Sequence, residues 1–191
     1  MAASQPDKLT RRVSFRPLTR DDLPLLFDWL RRPHVAEWWR DVPDDLAAVE
    51  SEYGPCVDGG DPTELFVVVS DGADIGMIQR YLIADEPEWW PVFDGIVDVS
   101  NAAGIDYLIG EVDVVGHGVG SAMVAAFSAD IFDWRPVDSI VVTVQQSNPA
   151  SWRVLEKAGY ERIWSGELDS PDPSDQGPEH VYVLKGPELA S

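Results

Sequence analysis

The sequence predicts one domain of mixed α/β class, and three observations point to it. Apolar strand-like runs alternate with amphipathic helix patterns through the second half of the chain. At the centre, the apolar run Ile105 to Ile109 leads through Val114, Val115, Gly116, His117, Gly118, Val119 and Gly120 into the helix pattern Ser121 to Phe132. The length of 191 residues, with 45% hydrophobic residues and eight Trp, suffices for one real core. The expected organisation is a flexible arm over residues 1–12 and a single domain over 13–191.

Val13 to Leu18 alternates as a strand. Thr19 is placed to cap a helix with Asp21 and Asp22 in its first turn, where the dipole favours acids. Leu23, Leu25, Leu26, Phe27, Trp29 and Leu30 form its buried side. Pro33 opens a short second helix reaching Trp39. Asp44 to Val57 reads as a third, carrying Glu50 and Glu52. Leu65 to Val69 is an unbroken apolar strand, Asp71-Gly72 a tight turn, and Ile75 to Ile83 the partner strand. Asp85 to Gly104 is a long irregular connection, of a length that usually carries function.

After the central strand, Met123, Val124, Phe127, Ile131 and Phe132 give the next helix its inward stripe. Ile140 to Val144 is a strand, Ser151 to Ala158 a helix and Tyr160 to Ser165 a strand. The Pro/Asp/Ser stretch Asp169 to Pro178 reads as a mobile surface loop. His180 to Leu184 is the last strand.

Charge is the most unusual bulk property. Fourteen basic residues stand against 34 acidic ones, a net charge of −20. From Glu37 to Asp113 there are 19 acids and only two bases, Arg40 and Arg80, or −17; the remainder carries 15 acids and 12 bases, or −3. A uniformly acidic surface would not be so skewed. Such a field repels nucleic acid and anionic lipid and concentrates cations, so the expected partner of the middle segment is a small polycation. No apolar run approaches the ~18 residues of a membrane span, and the N-terminus lacks the apolar core of a signal peptide. The single cysteine, Cys56, excludes an internal disulfide, and three histidines without ligand spacing give no metal site. A cytoplasmic monomer or homodimer is expected.

A strand, glycine turn and helix aim free backbone N–H groups and a positive dipole end at one point, which suits a pyrophosphate. The Lys and Ser/Thr of a nucleotide P-loop are missing after Gly120, and G-x-G-x-G is not the dinucleotide fingerprint. An ordinary strand-to-helix turn is the alternative on this stretch alone.

A second stretch, Asn148 to Tyr160 (NPASWRVLEKAGY), follows the strand Ile140 to Val144. Together the two stretches resemble the GCN5-related N-acetyltransferase superfamily, in which Q/R-x-x-G-x-G/A holds the coenzyme pyrophosphate and N-x-x-A-x-x-x-Y-E-K-x-G-F lies along the pantetheine. The resemblance implies a bent mixed sheet of six to seven strands with about four helices, split in the middle to admit acetyl-coenzyme A. It assigns Ile109, Val112, Val114, Gly116, His117, Gly118, Val119, Gly120, Ser121, Asn148 and Ser151 to that co-substrate. Val115 stands where the first motif has Gln or Arg, and Leu155 where the second carries Tyr, the usual proton donor to the departing thiolate.

Within the superfamily, Glu37-Trp38-Trp39, Gln79-Arg80-Tyr81, Trp89-Trp90 and Gly104-Ile105-Asp106 look like the E-W-W, Q-x-Y, W-W and G-I-D of aminoglycoside 6′-N-acetyltransferases. The resemblance implies transfer of acetyl to an amine of a polycationic sugar. Carboxylates would bind the ammonium groups and Trp faces would pack on the sugar. Glu37, Trp38, Trp39, Glu86, Glu88, Trp89, Trp90 and Glu179 are the candidate acceptor residues, each Trp pair having the ordinary alternative of a core role. By resemblance Asp106 takes or relays the amine proton, with Glu111 and Asp113 nearby. Backbone N–H groups around Ile109 to Val112 would hold the oxyanion. With Leu155 in the motif, Tyr160, Tyr107 or solvent protonates the thiolate. The competing acceptors are a hydroxylysine of siderophore type and a protein N-terminus. A catalytically silent binder of the coenzyme or the sugar is the third alternative.

Overall fold

A computed structural model of the chain describes residues 12–170, 172–175 and 177–187. Apart from Arg12, the expected N-terminal arm lies outside the described residues. Seven described strands form one sheet in the order β1-β2-β3-β4-β5-β7-β6. They are β1 (Val13–Pro17), β2 (Glu64–Ser70), β3 (Ala73–Leu82), β4 (Ala102–Ile109), β5 (Ser139–Gln145), β6 (Glu161–Glu167) and β7 (Pro178–Lys185). Five α-helices accompany them: α1 (Leu23–Leu30), α2 (Pro33–Ala36), α3 (Leu46–Val57), α4 (Val119–Trp134) and α5 (Pro149–Lys157).

Local chemistry explains the boundaries. Asp71 and Gly72 adopt φ of 51° and 82°, the two left-handed residues that a tight β2–β3 hairpin turn requires. Before α1, the Asp22 carboxylate accepts from both the N–H and the hydroxyl of Thr19, at 2.9 and 2.7 Å. Thr19 thus stands, as expected, at the N-cap of the short turn Arg20–Asp22 that leads into α1, and Asp22 closes a reciprocal capping box with it. Arg16 grips the same carboxylate at 2.8 Å and pulls its pKa down to about 2. Asp45 caps α3 by accepting from the Ala48 N–H at 2.9 Å.

The central strand begins at Ala102, three residues before the apolar run that announced it. Ala102, Ala103 and Gly104 carry no strand-like side chains, yet they make the sheet's parallel contact, pairing with Ser139, Ile140 and Val141 of β5. Pairing stops there. Past Gly104 and Val141 the two strands share no further register, while β4 stays paired with β3 and β5 with β7. A wedge therefore opens between Ile105–Ile109 and Val142–Gln145.

Three apolar clusters frame the wedge. On one face α4 and α5 pack Met123, Phe127, Ile131 and Leu155 against Ile78, Ile105 and Tyr182. On the other, α1 and α3 cover Val67, Met77 and Leu108. Beside them the connection after β3 packs Val92, Phe93 and Val99 on Val141 and Val181. Arg80, one of the two bases in the acid-rich segment, is buried in a structural role. It pairs with Glu64 at 2.7 Å and Asp130 at 2.8 Å and lies 4.3 Å over the Trp134 ring. Arg40 is therefore the only base of that segment not held in this cluster.

The parallel pairing ends at Gly104, where the Tyr81 ring fills the space a side chain would take; a Cβ there would meet the ring at 2.5 Å. Gly104→Ala is expected to destabilise the fold by about 1–3 kcal/mol through overpacking, measured by denaturant unfolding.

Candidate active site

The wedge leads into a cavity of about 460 Å³. Its walls follow from register. Antiparallel pairing sets Gln79 of β3 opposite Asp106 of β4, and the Gln79 side-chain amide donates to the Asp106 carboxylate at 2.8 Å. Burial, reinforced by the charges of Asp175 and Asp172 and opposed by the Gln79 hydrogen bond, lifts Asp106 to about 6. Tyr81, two residues along β3 from Gln79, lines the same wall.

Among the described residues, every charged side chain lining the cavity is a carboxylate: Asp41, Glu52, Asp106, Asp172 and Asp175. Glu52 and Tyr53 come from α3, and burial, with Asp41 and Asp172 adding, raises the Glu52 carboxyl. The stretch expected to be a mobile surface loop instead folds onto the cavity. Ser170 donates to Asp175 at 2.7 Å, and the Ser174 N–H to Asp172 at 2.6 Å. The Ser174 hydroxyl accepts from the Arg40 N–H at 3.1 Å, and the Gln145 amide donates to the Ser174 carbonyl. Burial lifts Asp175 to about 6. Residues 171 and 176 lie outside the described residues.

Behind the wedge, the turn into α4 has the shape its glycines announced. Gly116 and Gly118 have φ of 80° and 84°, and open space lies where their side chains would project. The first N–H groups of α4, on Val119, Gly120 and Ser121, have no acceptor earlier in the helix. Val112 is 58% exposed on the same loop, and the His117 ring lies 3.0 Å from the Val115 carbonyl. These features fit a diphosphate held by backbone alone, with Val115 supplying no polar side chain. Asn148 caps α5 by accepting from the Ser151 N–H at 3.1 Å, and both residues line the wedge. The hydroxyls of Ser151 and Tyr107 are 2.8 Å apart.

The structure brings some of the expected acceptor residues together and separates others. Trp38, Trp39 and Trp89 line the cavity with Asp106. Trp90 is 47% exposed, its indole N–H donating to the Ile83 carbonyl at 2.9 Å. Glu37 and Glu88 are exposed, and they and Glu86 are not among the lining residues. Glu179 is 0% exposed behind the lining, on β7. Ile109 ends β4 with its carbonyl 3.0 Å from the His34 ring and its side chain packed on the α4 cluster.

Several expected chemical roles are redistributed. Gly110 and Glu111 both give their N–H to the Ile75 carbonyl, at 2.8 and 3.1 Å, which removes them from the expected oxyanion donors. Glu111 is gripped by Arg32 at 2.8 Å and Trp29 at 3.0 Å, which lowers its pKa and withdraws it as a base. Tyr160 lies in the core with its hydroxyl 2.8 Å from Ser128. Leu155 is 0% exposed in that core. The remaining tyrosine expectation, Tyr107, faces the wedge, and burial raises its pKa and keeps its hydroxyl protonated.

Asp41, Glu52, Tyr53 and Gln145 are cavity residues absent from the expected set, whereas Asp172 and Asp175, read by default as part of a solvated loop with reach to the acceptor as the alternative, line the cavity. The skewed charge of the middle segment was the only sequence signal for Asp41 and Glu52, and it falls on many acids alike; Tyr53 and Gln145 carried none. Gln79 and Tyr81 carried a stronger one, sharing a strand face by period 2.

Comparisons agree with this geometry. An acetyltransferase (GNAT) domain family model matches residues 19–168. Aminoglycoside N(6′)-acetyltransferases type 1 from Klebsiella pneumoniae and Serratia marcescens are each 31% identical over 175 residues, covering 91% of this chain and 82% of the relative. A crystal structure of aminoglycoside acetyltransferase AAC(6′)-Ib with coenzyme A and kanamycin superposes with a TM-score of 0.78 at 30% identity, covering 91% of this chain and 95% of that one. The split sheet, the glycine-bent entry to α4 and the match over most of its length make this chain a member of the GNAT acetyltransferase family.

Proposed function

We propose that the protein transfers the acetyl group of acetyl-coenzyme A to the 6′-amine of an aminoglycoside in the cytoplasm. The observation that carries this reading is the convergence of five carboxylates and three Trp on a cavity that opens into the β4–β5 wedge. A multiply charged amino sugar complements that wall through charge-assisted hydrogen bonds and Trp faces. A hydroxylysine or a peptide N-terminus carries too little positive charge to use it.

The co-substrate supplies the activated acetyl group as a thioester. The free N–H groups of α4 and the Gly116–Gly118 turn hold its diphosphate, and the unpaired edges of β4 and β5 hold its arm. Asp106 takes a proton from the acceptor ammonium, directly or through water, so that the nitrogen lone pair is free to attack. A carboxyl near 6 is mostly ionised at neutral pH yet basic enough to accept that proton. Tyr107, hydrogen-bonded to Ser151, supplies a proton to the departing sulfur in place of the tyrosine that Leu155 displaces.

Thiol release from acetyl-coenzyme A tests the assignment. Release is expected with kanamycin and none with a hydroxylysine or a peptide; binding without release would make the protein a silent binder. Because only ionised Asp106 serves as base, kcat/KM should rise with pH through about 6. Asp106→Asn should lose about 100-fold or more in kcat and the rising limb with it, with coenzyme affinity unchanged in a binding titration. Asp175→Asn should raise the kanamycin KM about tenfold while sparing kcat, since it removes one charged hydrogen bond.

A further inference from the structure

Glu179 is the anomaly of this site. Its side chain is fully buried, and both carboxylate oxygens lack any hydrogen-bond partner. An ionised carboxylate so placed would be strongly disfavoured. Register locates it. Glu179 pairs with Gln145 of β5, so it stands on the face that carries the cavity-lining Thr143 and Val141. On its other side the partner is Gly166, which has no side chain, and the Trp164 ring fills the space above that glycine, 2.5 Å from where its Cβ would be. The carboxyl is thus closed off on the β6 side and adjoins the cavity on the β5 side.

The charged groups around it are mostly of its own sign. Asp172 and Asp175 face it from the preceding loop and oppose its ionisation. Arg40, from the connection between α2 and α3, favours ionisation and reaches only the neighbouring Gln145, at 3.4 Å. Asp41, Glu52 and Asp106 line the rest of the cavity.

We propose that Glu179 is a protonated member of the acceptor site which ionises when a polycationic acceptor binds, so that binding expels a proton and favours acceptors with the most positive charge. This rests on the aminoglycoside reading above. The exchange is balanced: the carboxyl O–H breaks, its proton leaves to solvent through the cavity, and the carboxylate left behind faces an incoming ammonium. Burial and the two aspartates hold Glu179 up to about 8 in the free protein, against about 6 for Asp106 and Asp175. At pH 7 Glu179 is then about nine-tenths protonated and the other two about nine-tenths ionised, so it is the main protein source of an expelled proton.

The sign also sets a stability signature. A folded pKa of about 8 lies above the ordinary Glu value of 4.5, so the folded state binds the extra proton. The contribution of Glu179 to stability is complete below about 4.5 and is lost as pH rises through about 8.

Calorimetry of kanamycin binding to the coenzyme A complex at pH 7, in phosphate and in Tris, counts the protons exchanged. Glu179→Gln is expected to release nearly one proton fewer than the wild type and to flatten the tightening of Kd between pH 6 and 8. Its Tm should fall less than that of the wild type from pH 5 to pH 8. Equal proton counts in the two proteins would overturn the proposal. If the variant fails to fold, infrared difference spectra of the wild type decide: kanamycin should remove a protonated-carboxyl stretch, and an unchanged band would overturn it. Kanamycin turnover with equal proton counts would sink this proposal alone, whereas absence of turnover would sink the aminoglycoside reading.

Discussion

The structure depends on a sheet that stops pairing in its middle. Two parallel strands held together by three residue pairs then diverge, leaving the backbone donors and acceptors of Ile105–Ile109 and Val142–Gln145 without each other. Unpaired backbone groups at depth are costly unless something else satisfies them. A ligand chain carrying its own amides is the natural partner of such edges. The antiparallel neighbours β3 and β7 keep the two halves rigid while the gap stays open. Tyr81, packed where Gly104 has no side chain, stands where the pairing ends and lines the cavity it opens.

That gap also organises the charge. Each carboxylate drawn into the cavity raises the proton affinity of the others, because like charges share a poorly solvated space. Asp106, Asp175 and Glu179 are displaced upward, to about 6, 6 and 8, chiefly by burial and further by their acidic neighbours. By contrast Glu111 and Asp22, each paired with an arginine, are displaced downward. The chain thus separates carboxylates that brace the fold from carboxylates that gather at the cavity. Arg80 holds Glu64 and Asp130 in the first group and lies over the Trp134 ring.

Much of the fold was legible in the order of residues. The 3.6-residue stripe of α4, the β2–β3 hairpin with its Asp71-Gly72 turn and the glycines before α4 each act through local backbone chemistry. Ala102 to Gly104 was illegible as strand because these residues are small for a tertiary reason, contact with β5 and the Tyr81 ring. The loop from 169 to 178 read as solvated because its composition is polar, but its carboxylates turn inward where Arg40 and Gln145 hold Ser174. At the site, Asp106, Trp38, Trp39 and Trp89 were identified by motif and do meet in one cavity, whereas Trp90 and Glu88 share the motif and point elsewhere.

Sequence alone determined the fold class, the glycine-bent entry to α4 and the excess of negative charge in the middle of the chain, since these follow from spacing, backbone freedom and counts of ionisable groups. Tertiary structure decided which acids form the site and in what protonation state. Those properties depend on distances across the gap and on exclusion of water, and neither is encoded in any contiguous stretch of chain.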